Sequence, residues 1–195
     1  IAPPFSLADT CAPVDWAAGR WANQDWIDGR LVWVGWEDQQ VVHRLVRSGA
    51  TGEDILIDGD ADPALDLDWA RRILGTDRTM PAPRDAVLKR IAARHPGLRP
   101  HASGSLFDGL IESIVGQSIT VLAAAVVSAR LASYFHPGIE VQNRIFWPTP
   151  RSEDLANAEV ARLREKMVPV IEKHSAGATA ETVAALNAEL AKLRK

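Results

Sequence analysis

The hydrophobic pattern of the chain changes near residue 75. Before that point, short runs of β-branched and aromatic residues alternate with turn-forming residues; the runs are Leu31–Trp36, Val41–Val46 and Ile55–Ile57. Asp28-Gly29 directly follows Trp26-Ile27 and is a strong signal for a two-residue hairpin turn. The first 60 residues therefore predict an antiparallel meander, and a helix is predicted to follow from about Pro63 to Leu74, ending near Gly75.

After Gly75, apolar residues recur with helical spacing. Asp85 is placed to cap a helix that Pro96-Gly97 ends, and Ser105 with Asp108 predicts a capping box for the next helix. The apolar residues of that next helix share one face, and they are Leu106, Phe107, Leu110, Ile111, Ile114 and Val115. An Ala-rich helix is then predicted from about Ile119 to Phe135.

Two further helices are predicted towards the end of the chain. Thr149 is a suitable N-cap, and Pro150 follows it at the first helical position. Thr179 caps a final helix with an apolar stripe at spacings of 3, 4 and 3, formed by Val183, Leu186, Leu190 and Leu193. This stripe favours packing on the protein's own core, and a homo-oligomer through the C-terminal helix is the alternative.

The composition is that of a soluble globular protein. The chain has 195 residues, of which 47% are hydrophobic and 24% charged. Its longest apolar run, Val121 to Val127, is far shorter than the ~20 residues that a membrane span needs. No signal peptide is visible, so we expect a cytoplasmic protein without a membrane partner. The single cysteine, Cys11, excludes an internal disulfide and a cysteine-rich zinc site.

Charge is distributed unevenly along the chain. Residues 1–75 carry 13 acidic and 6 basic side chains, whereas residues 76–195 carry 12 acidic and 16 basic ones. Five cations lie close together in sequence: Arg84, Lys89, Arg90, Arg94 and Arg99. A polyanion such as DNA would therefore approach the second part of the chain, although ordinary scatter accounts for the imbalance equally well.

Generic catalytic and metal-binding motifs fail on inspection. Asp58 to Asp62 begins like a calcium-binding loop, but Pro63 and Trp69 stand where that loop needs glycine and glutamate. Gly116 to Thr120 begins like a nucleophile elbow and lacks the closing glycine. The five histidines have no cysteine or carboxylate at ligand spacing, so we predict no metal site and no cofactor.

Residues 94–135 resemble the helix-hairpin-helix DNA glycosylases, and among them the alkylation-repair branch, DNA-3-methyladenine glycosylase II. Three segments carry the resemblance: Pro96-Gly97-Leu98-Arg99 before a helix with Phe107, Ile114 to Ile119 before an Ala-rich helix, and Trp147-Pro148-Thr149-Pro150. In the last segment the family usually has Phe-Pro-Thr-Pro. The likeness extends over roughly residues 1–164, including Phe5-Ser6-Leu7 and the meander.

The resemblance implies an α+β fold with a small antiparallel β-sheet domain, residues 1–75, and an α-helical domain of the glycosylase type, residues 76–164. Residues 165–195 form an unmatched helical tail. In the family, a damaged base is flipped into an aromatic pocket, an Asp stabilises the oxocarbenium-like sugar, and a helix-hairpin-helix holds the DNA backbone.

The family's gap-filling residue, which occupies the space left by the flipped base, maps onto the loop of Gln117 and Ser118. These two residues are our DNA-binding candidates. Ser118 is small and polar where a bulky apolar wedge is expected. The alternative interpretation is that Gly116-Gln117-Ser118 only ends one helix and caps the next. Six tryptophans are candidates for a base pocket, although packing on the core and sheet faces is favoured for them: Trp16, Trp21, Trp26, Trp33, Trp36 and Trp69.

The sequence departs from the family where catalysis would lie. A hairpin of the form L-P-G-[IV]-G is not found after Leu163, and the last Asp, Asp154, precedes its expected position. Glu165 and Glu172 lie in the tail and are interpreted as solvated charges. We therefore identify no catalytic residue.

Two functions follow from the resemblance. The first is a glycosylase-like protein of base-excision DNA repair that looks incomplete and binds double-stranded DNA weakly and without sequence preference. The alternative is a non-catalytic DNA-binding or protein-interaction module derived from that fold. Both predict a DNA or protein partner and neither requires a metal or cofactor.

Overall fold

The computed structural model describes residues 4–52, 54–117 and 119–174, together with residues 184 and 188. Its helices are α1 (Leu7–Trp16), α2 (Asp66–Leu74), α3 (Ala86–Arg94), α4 (Leu106–Gly116), α5 (Val121–Phe135), α6 (Ser152–Ala156) and α7 (Val160–His174). Its strands are β1 (Gln24–Ile27), β2 (Arg30–Glu37), β3 (Gln40–Ser48), β4 (Ile55–Gly59), β5 (Ile139–Val141) and β6 (Arg144–Phe146). A 3-10 turn, Pro63–Leu65, precedes α2. The predicted α+β class is confirmed.

The main sheet has four strands in the order β1-β2-β3-β4, as the meander predicts. In the antiparallel pair of β3 and β4, Val46 lies opposite Ile57. The turn between β1 and β2 has φ of 49° at Asp28 and 75° at Gly29. Two successive residues with positive φ are characteristic of the tight turn that matches strand twist, so the Asp-Gly hairpin is confirmed.

Three predicted helix ends are confirmed by their capping geometry. Gly75 ends α2 in the left-handed region, with φ of 60°. The Asp85 side chain accepts hydrogen bonds from the first turn of α3. At α4, the Ser105 hydroxyl accepts from Asp108 N–H at 3.1 Å, and the Asp108 carboxylate accepts from Ser105 N–H at 2.7 Å. These helix ends could be predicted from the sequence because each depends on residues no more than three positions apart.

Elsewhere the structure differs from the sequence-based expectations. Helix α1 was not predicted, because its Pro13 and weak apolar periodicity hide a helix that Ser6 caps. The hairpin of β5 and β6 turns through Gln142 and Asn143, both with positive φ. The helix predicted to start at Pro150 begins instead at Ser152, because Arg151 is its N-cap and donates its N–H to the Asp154 carboxylate at 2.9 Å.

The chain divides into two compact units. One comprises residues 1–18, 25–33 and 42–104, and the other comprises residues 19–24, 34–41 and 105–195. The first unit extends beyond the predicted boundary at residue 75 because Ala102 N–H donates to the Ile73 carbonyl at 2.8 Å. The predicted final helix lies outside the described residues, apart from Ala184 and Ala188, which are helical.

A buried arginine organises the core of the first unit. Arg44 is 1% exposed, and its guanidinium carbon lies 5.7 Å from the Trp33 ring and 5.2 Å from the Trp69 ring. The Arg44 Nε donates to the Asp66 carboxylate at 2.8 Å. The charge is therefore accommodated by two aromatic faces and by a carboxylate at the start of α2.

Helix α5 forms the centre of the second unit. Its buried face is built of small and β-branched residues, together with Leu122, and packs with Ala22 and Trp147. Trp147 N–H donates to the Ala22 carbonyl at 3.0 Å. Helices α4 and α7 both pack against α5.

We predict that Asp66→Asn lowers the free energy of unfolding by about 2 kcal/mol, because it removes a carboxylate that accepts from the buried Arg44 guanidinium. Asp68→Asn is the matched control, since Asp68 is an exposed acid in the same first turn of α2 and makes the same helix-dipole contribution. Urea unfolding followed by tryptophan fluorescence measures both variants. Equal losses in the two variants would show that the ion pair does not stabilise the core.

Candidate nucleic-acid interface

Helix α3 is exposed along its whole length, and three of its nine residues are cations. Lys89, Arg90 and Arg94 all have exposed side chains, and Arg84 precedes the helix in an exposed position. Arg90 and Arg94 are four residues apart and therefore lie on one face. Within the described part of the chain, none of these four cations pairs with a carboxylate, which leaves them available to an anionic partner.

The C-terminal end of α3 is fastened to the beginning of α1. His95 Nδ1 lies 3.0 Å from the Asp9 carboxylate, and Ser6 N–H donates to the Gly97 carbonyl at 2.8 Å. A Cβ atom at Gly97 would stand 2.5 Å from the Ser6 nitrogen, so this approach requires glycine. The Pro96-Gly97 motif thus fixes the base from which α3 extends.

Arg99 does not belong to the exposed basic group, which corrects its inclusion among the clustered cations. Its side chain is 5% exposed and donates to the backbone carbonyls of Pro96, Leu98 and Pro4. Arg99 N–H also donates to Thr10 Oγ1 at 3.1 Å. Arg99 is therefore a structural cation that holds three backbone segments together.

The junction of α4 and α5 contains one of the two predicted DNA contacts. Gln117 is exposed and its N–H donates to the Ile114 carbonyl at 3.4 Å, while Ser118 lies outside the described residues. Thr120 caps α5, since its Oγ1 accepts from Ala123 N–H at 3.2 Å. Gly116 ends α4 and Gln117 is its C-cap, as the alternative interpretation predicts, whereas Thr120, and not this loop, caps α5. The DNA contact stays a prediction.

Several of the six candidate tryptophans are used in packing. Trp33 and Trp69 are buried and meet edge to face, with ring centroids 5.4 Å apart. Trp36 lies under the Arg151 guanidinium, whose carbon is 4.5 Å from the ring centroid. Trp16 differs, because 72% of its surface is exposed at the end of α1. The packing interpretation is thus confirmed for Trp33 and Trp69 and wrong for Trp16.

The Asp154 carboxylate is paired with Arg151 of the same chain. One carboxylate oxygen accepts from Arg151 N–H at 2.9 Å and from Arg151 Nε at 3.1 Å, and the other accepts from Nη2 at 3.1 Å. These hydrogen bonds hold the pKa of Asp154 below its usual range. Because the charge is already compensated, this carboxylate is poorly suited to stabilising a positive sugar.

The Cys11 thiol is unsuited to nucleophilic catalysis. Burial raises the pKa of the Cys11 thiol to about 12, so it stays protonated and is a poor nucleophile. Glu165 is exposed, and the side chain of Glu172 lies outside the described part of the chain. Among the described residues, no group of three or more His, Cys, Asp or Glu side chains is arranged to hold a metal ion. No described helix has the length and apolar character to cross a membrane.

The backbone has the fold of DNA glycosylases. It superposes on the 3-methyladenine DNA glycosylase of Archaeoglobus fulgidus with a TM-score of 0.67 and 16% sequence identity, over 95% of this chain and 63% of that one. The fold implied by the sequence resemblance is thereby confirmed. The chain spans less than two thirds of the length of this neighbour.

Two structures of the 8-oxoguanine glycosylase/lyase of Clostridium acetobutylicum show the same fold. The apo form matches with a TM-score of 0.60 and 15% identity, over 97% of this chain and 69% of that one. The form bound to double-stranded DNA with cytosine opposite 8-oxoguanine matches with a TM-score of 0.55 and 14% identity, over 97% and 68%. No family model matches the sequence, and no curated protein does.

We predict that His101 makes the stability depend on pH. Burial lowers the pKa of His101 to about 4, against about 6.5 in the unfolded chain. The unfolded chain therefore takes up a proton more readily, and the free energy of unfolding falls as the pH drops from ~6.5 towards 4. The loss amounts to at most about 3 kcal/mol. His101→Gln should therefore flatten the fall in unfolding free energy between pH 7 and pH 4, measured by urea unfolding. An unchanged pH dependence in this variant would contradict the assignment.

Proposed function

We propose that this chain binds double-stranded DNA through sequence-independent phosphate contacts and does not excise bases by itself. One observation carries the proposal: α3 presents exposed cations without carboxylate partners on a fold that DNA glycosylases share. One structure with this fold, the second form of the Clostridium acetobutylicum 8-oxoguanine glycosylase/lyase, is a complex with double-stranded DNA. Phosphate contacts fix position on DNA but carry no sequence information.

The expected affinity is low because few cations take part. Each phosphate that a cation neutralises releases condensed counterions, which makes the affinity depend on salt. Four exposed cations, Arg84, Lys89, Arg90 and Arg94, set an upper bound of about four such contacts in this segment. Non-specific complexes of this kind have dissociation constants of ~10⁻⁴–10⁻⁶ M.

We predict that Arg90→Gln with Arg94→Gln reduces the slope of log affinity against log salt by about 2, since each cation contributes about one released counterion. Arg71→Gln with Arg72→Gln is the matched control, because it removes the same charge from exposed positions on α2 of the same unit. Fluorescence anisotropy with a short labelled duplex measures both slopes. Equal changes in the two variants would mean that net charge, and not α3, accounts for binding.

Gln117 and Ser118 are proposed to contact the duplex as uncharged groups, in keeping with the position of the family's gap-filling loop. We predict that Gln117→Ala weakens binding several-fold and leaves the salt slope unchanged, because no phosphate contact is lost. Asn157→Ala, which removes another exposed amide of the same unit, should leave the affinity unchanged. An unaltered affinity in Gln117→Ala would remove this loop from the interface.

Base excision is the second candidate function, favoured by the fold of the neighbouring glycosylases. We predict that the purified chain releases methylated purines from alkylated duplex no faster than buffer does, because Arg151 already engages Asp154. Release of free base is measured chromatographically. Turnover above the buffer rate would overturn the non-catalytic proposal, and Asp154→Asn and Glu165→Gln would then identify the carboxylate.

Two finer expectations accompany this function as proposals. The first is a cytoplasmic location. A homo-oligomer through the C-terminal helix is compatible with DNA binding by α3, and so is packing of that helix within one chain.

A further inference from the structure

Helix α3 carries an aliphatic side that stays exposed. Val87, Leu88 and Ile91 are 52%, 53% and 47% exposed, and no residue of α3 is buried. We call these three residues the α3 aliphatic side. A helix of nine residues is marginal by itself, because helices in proteins owe most of their stability to the packing of an amphipathic face. Phosphate contacts use the cations of α3 and give the aliphatic side no role, so this side indicates a protein partner.

Cations border the α3 aliphatic side on both edges. At about 100° per residue, Arg90 and Arg94 fall beside Val87, whereas Lys89 falls beyond Leu88 on the other edge. All three cations are exposed. An apolar centre between basic edges is complementary to an apolar surface bordered by carboxylates. The partner surface should therefore be both aliphatic and acidic.

Residues 58–68 have this complementary character, and we call them the acidic segment. Five of the eleven residues are aspartates. Leu65 and Leu67, on either side of Asp66, are 45% and 57% exposed. The acidic segment and α3 belong to the same compact unit, and both are exposed there. Neither of them therefore covers the other within one chain.

A cavity in the acidic segment fits the end of a basic side chain. Its volume is about 200 Å³, and Asp58 and Asp66 line it together with Ile57 and Pro63. Asp66 is paired with Arg44, which also lines the cavity, whereas Asp58 has no hydrogen-bond or ion-pair partner among the described residues. A lysine or arginine side chain lays its methylene stem along apolar surface and keeps its charged end in a polar environment. The cavity offers both kinds of contact.

We propose that α3 of one copy of this chain docks on the acidic segment of a second copy. The α3 aliphatic side then meets Leu65 and Leu67, and a cation from the edge of α3 enters the cavity beside Asp58. The contact joins two different surfaces, so each copy takes part in it twice, once through α3 and once through its acidic segment.

Charge and size favour a reversible contact between copies. The net charge of the chain is −3, so the general repulsion between copies is small, while opposite charges meet locally across the contact. Every solution of this protein also contains the two surfaces at equal concentration. Helix α3 is about 14 Å long, which is short for a permanent interface. Because the edges of the contact are charged, raised salt should weaken it.

Analytical ultracentrifugation of the full chain tests the proposal. The average mass should rise above that of a monomer as the protein is concentrated, and it should fall as salt is added. Leu88→Gln with Ile91→Gln should weaken association by about ten-fold or more, and glutamine keeps the helix propensity of α3. Asp58→Asn with Asp62→Asn should weaken it to the same extent, and asparagine caps a helix as well as aspartate does. A parent chain that is monomeric at millimolar concentration would overturn the proposal.

Mixing the two variants gives the most specific result, because each supplies the surface that the other has lost. At a concentration where the parent associates and each variant alone is monomeric, the mixture should contain a species with one copy of each. Asp15→Asn with Asp77→Asn is the matched control, since it removes the same charge from exposed positions outside the acidic segment and should associate like the parent. A mixture that stays monomeric, or a control that loses association equally, would contradict the proposed contact.

Duplex binding separates a second copy from DNA as the partner of the α3 aliphatic side. Leu88→Gln with Ile91→Gln keeps every cation of α3, so its affinity for a short labelled duplex should equal that of the parent. Fluorescence anisotropy measures both affinities at protein concentrations below the onset of self-association. A loss of duplex affinity with unchanged self-association would assign the aliphatic side to DNA and would overturn the proposal.

Discussion

The buried guanidinium of Arg99 is the interaction on which the proposed interface depends. It gathers the carbonyls of Pro4, Pro96 and Leu98, while the Arg99 backbone holds Thr10. These contacts join the start of α1 to the loop after α3, where Gly97 permits the close approach of Ser6. Helix α3 is therefore attached at its C-terminal end to a rigid base, although its own side chains are exposed.

The clustered cations differ in burial and therefore in role. Arg99 uses its donors on backbone carbonyls and is inaccessible to a phosphate, whereas Arg90 and Arg94 remain in solvent. A second buried cation, Arg44, is accommodated by Trp33, Trp69 and Asp66. In both cases the buried cation has at least one partner that is distant in sequence, Asp66 for Arg44 and Pro4 for Arg99. The exposed cations of α3 have no such partner among the described residues and stay available to an anionic partner.

The parts of the fold that could be predicted from the sequence are those set by local signals. The Asp28-Gly29 turn, the Gly75 helix end and the Ser105-Asp108 capping box each depend on neighbours within three residues, and all three were predicted correctly. The start of α6 was missed because its cap is formed by Arg151 and Asp154 rather than by Thr149-Pro150. Helix α1 was missed although Ser6 caps it locally, because Pro13 and the weak apolar periodicity conceal it.

The candidate site was predictable to a similar extent. Composition along the chain indicated the basic segment, and the resemblance indicated Gln117 and the glycosylase fold. Neither indicated that Arg99 is internal, because burial is decided by the close packing around Gly97. Asp154 was recognised only as the last Asp, while its engagement by Arg151 required the structure. The sequence therefore identifies the charged residues, and the structure identifies those that already have partners within the protein.

The central claim is that this chain holds DNA by its phosphates and does not select damage. The most direct measurement compares the affinity for an undamaged duplex with that for a duplex of the same sequence carrying one alkylated purine, at one salt concentration. Phosphate binding through α3 predicts affinities equal within about two-fold, because both duplexes present the same backbone charge. A preference of ten-fold or more for the alkylated duplex would contradict the account and would point to a base pocket.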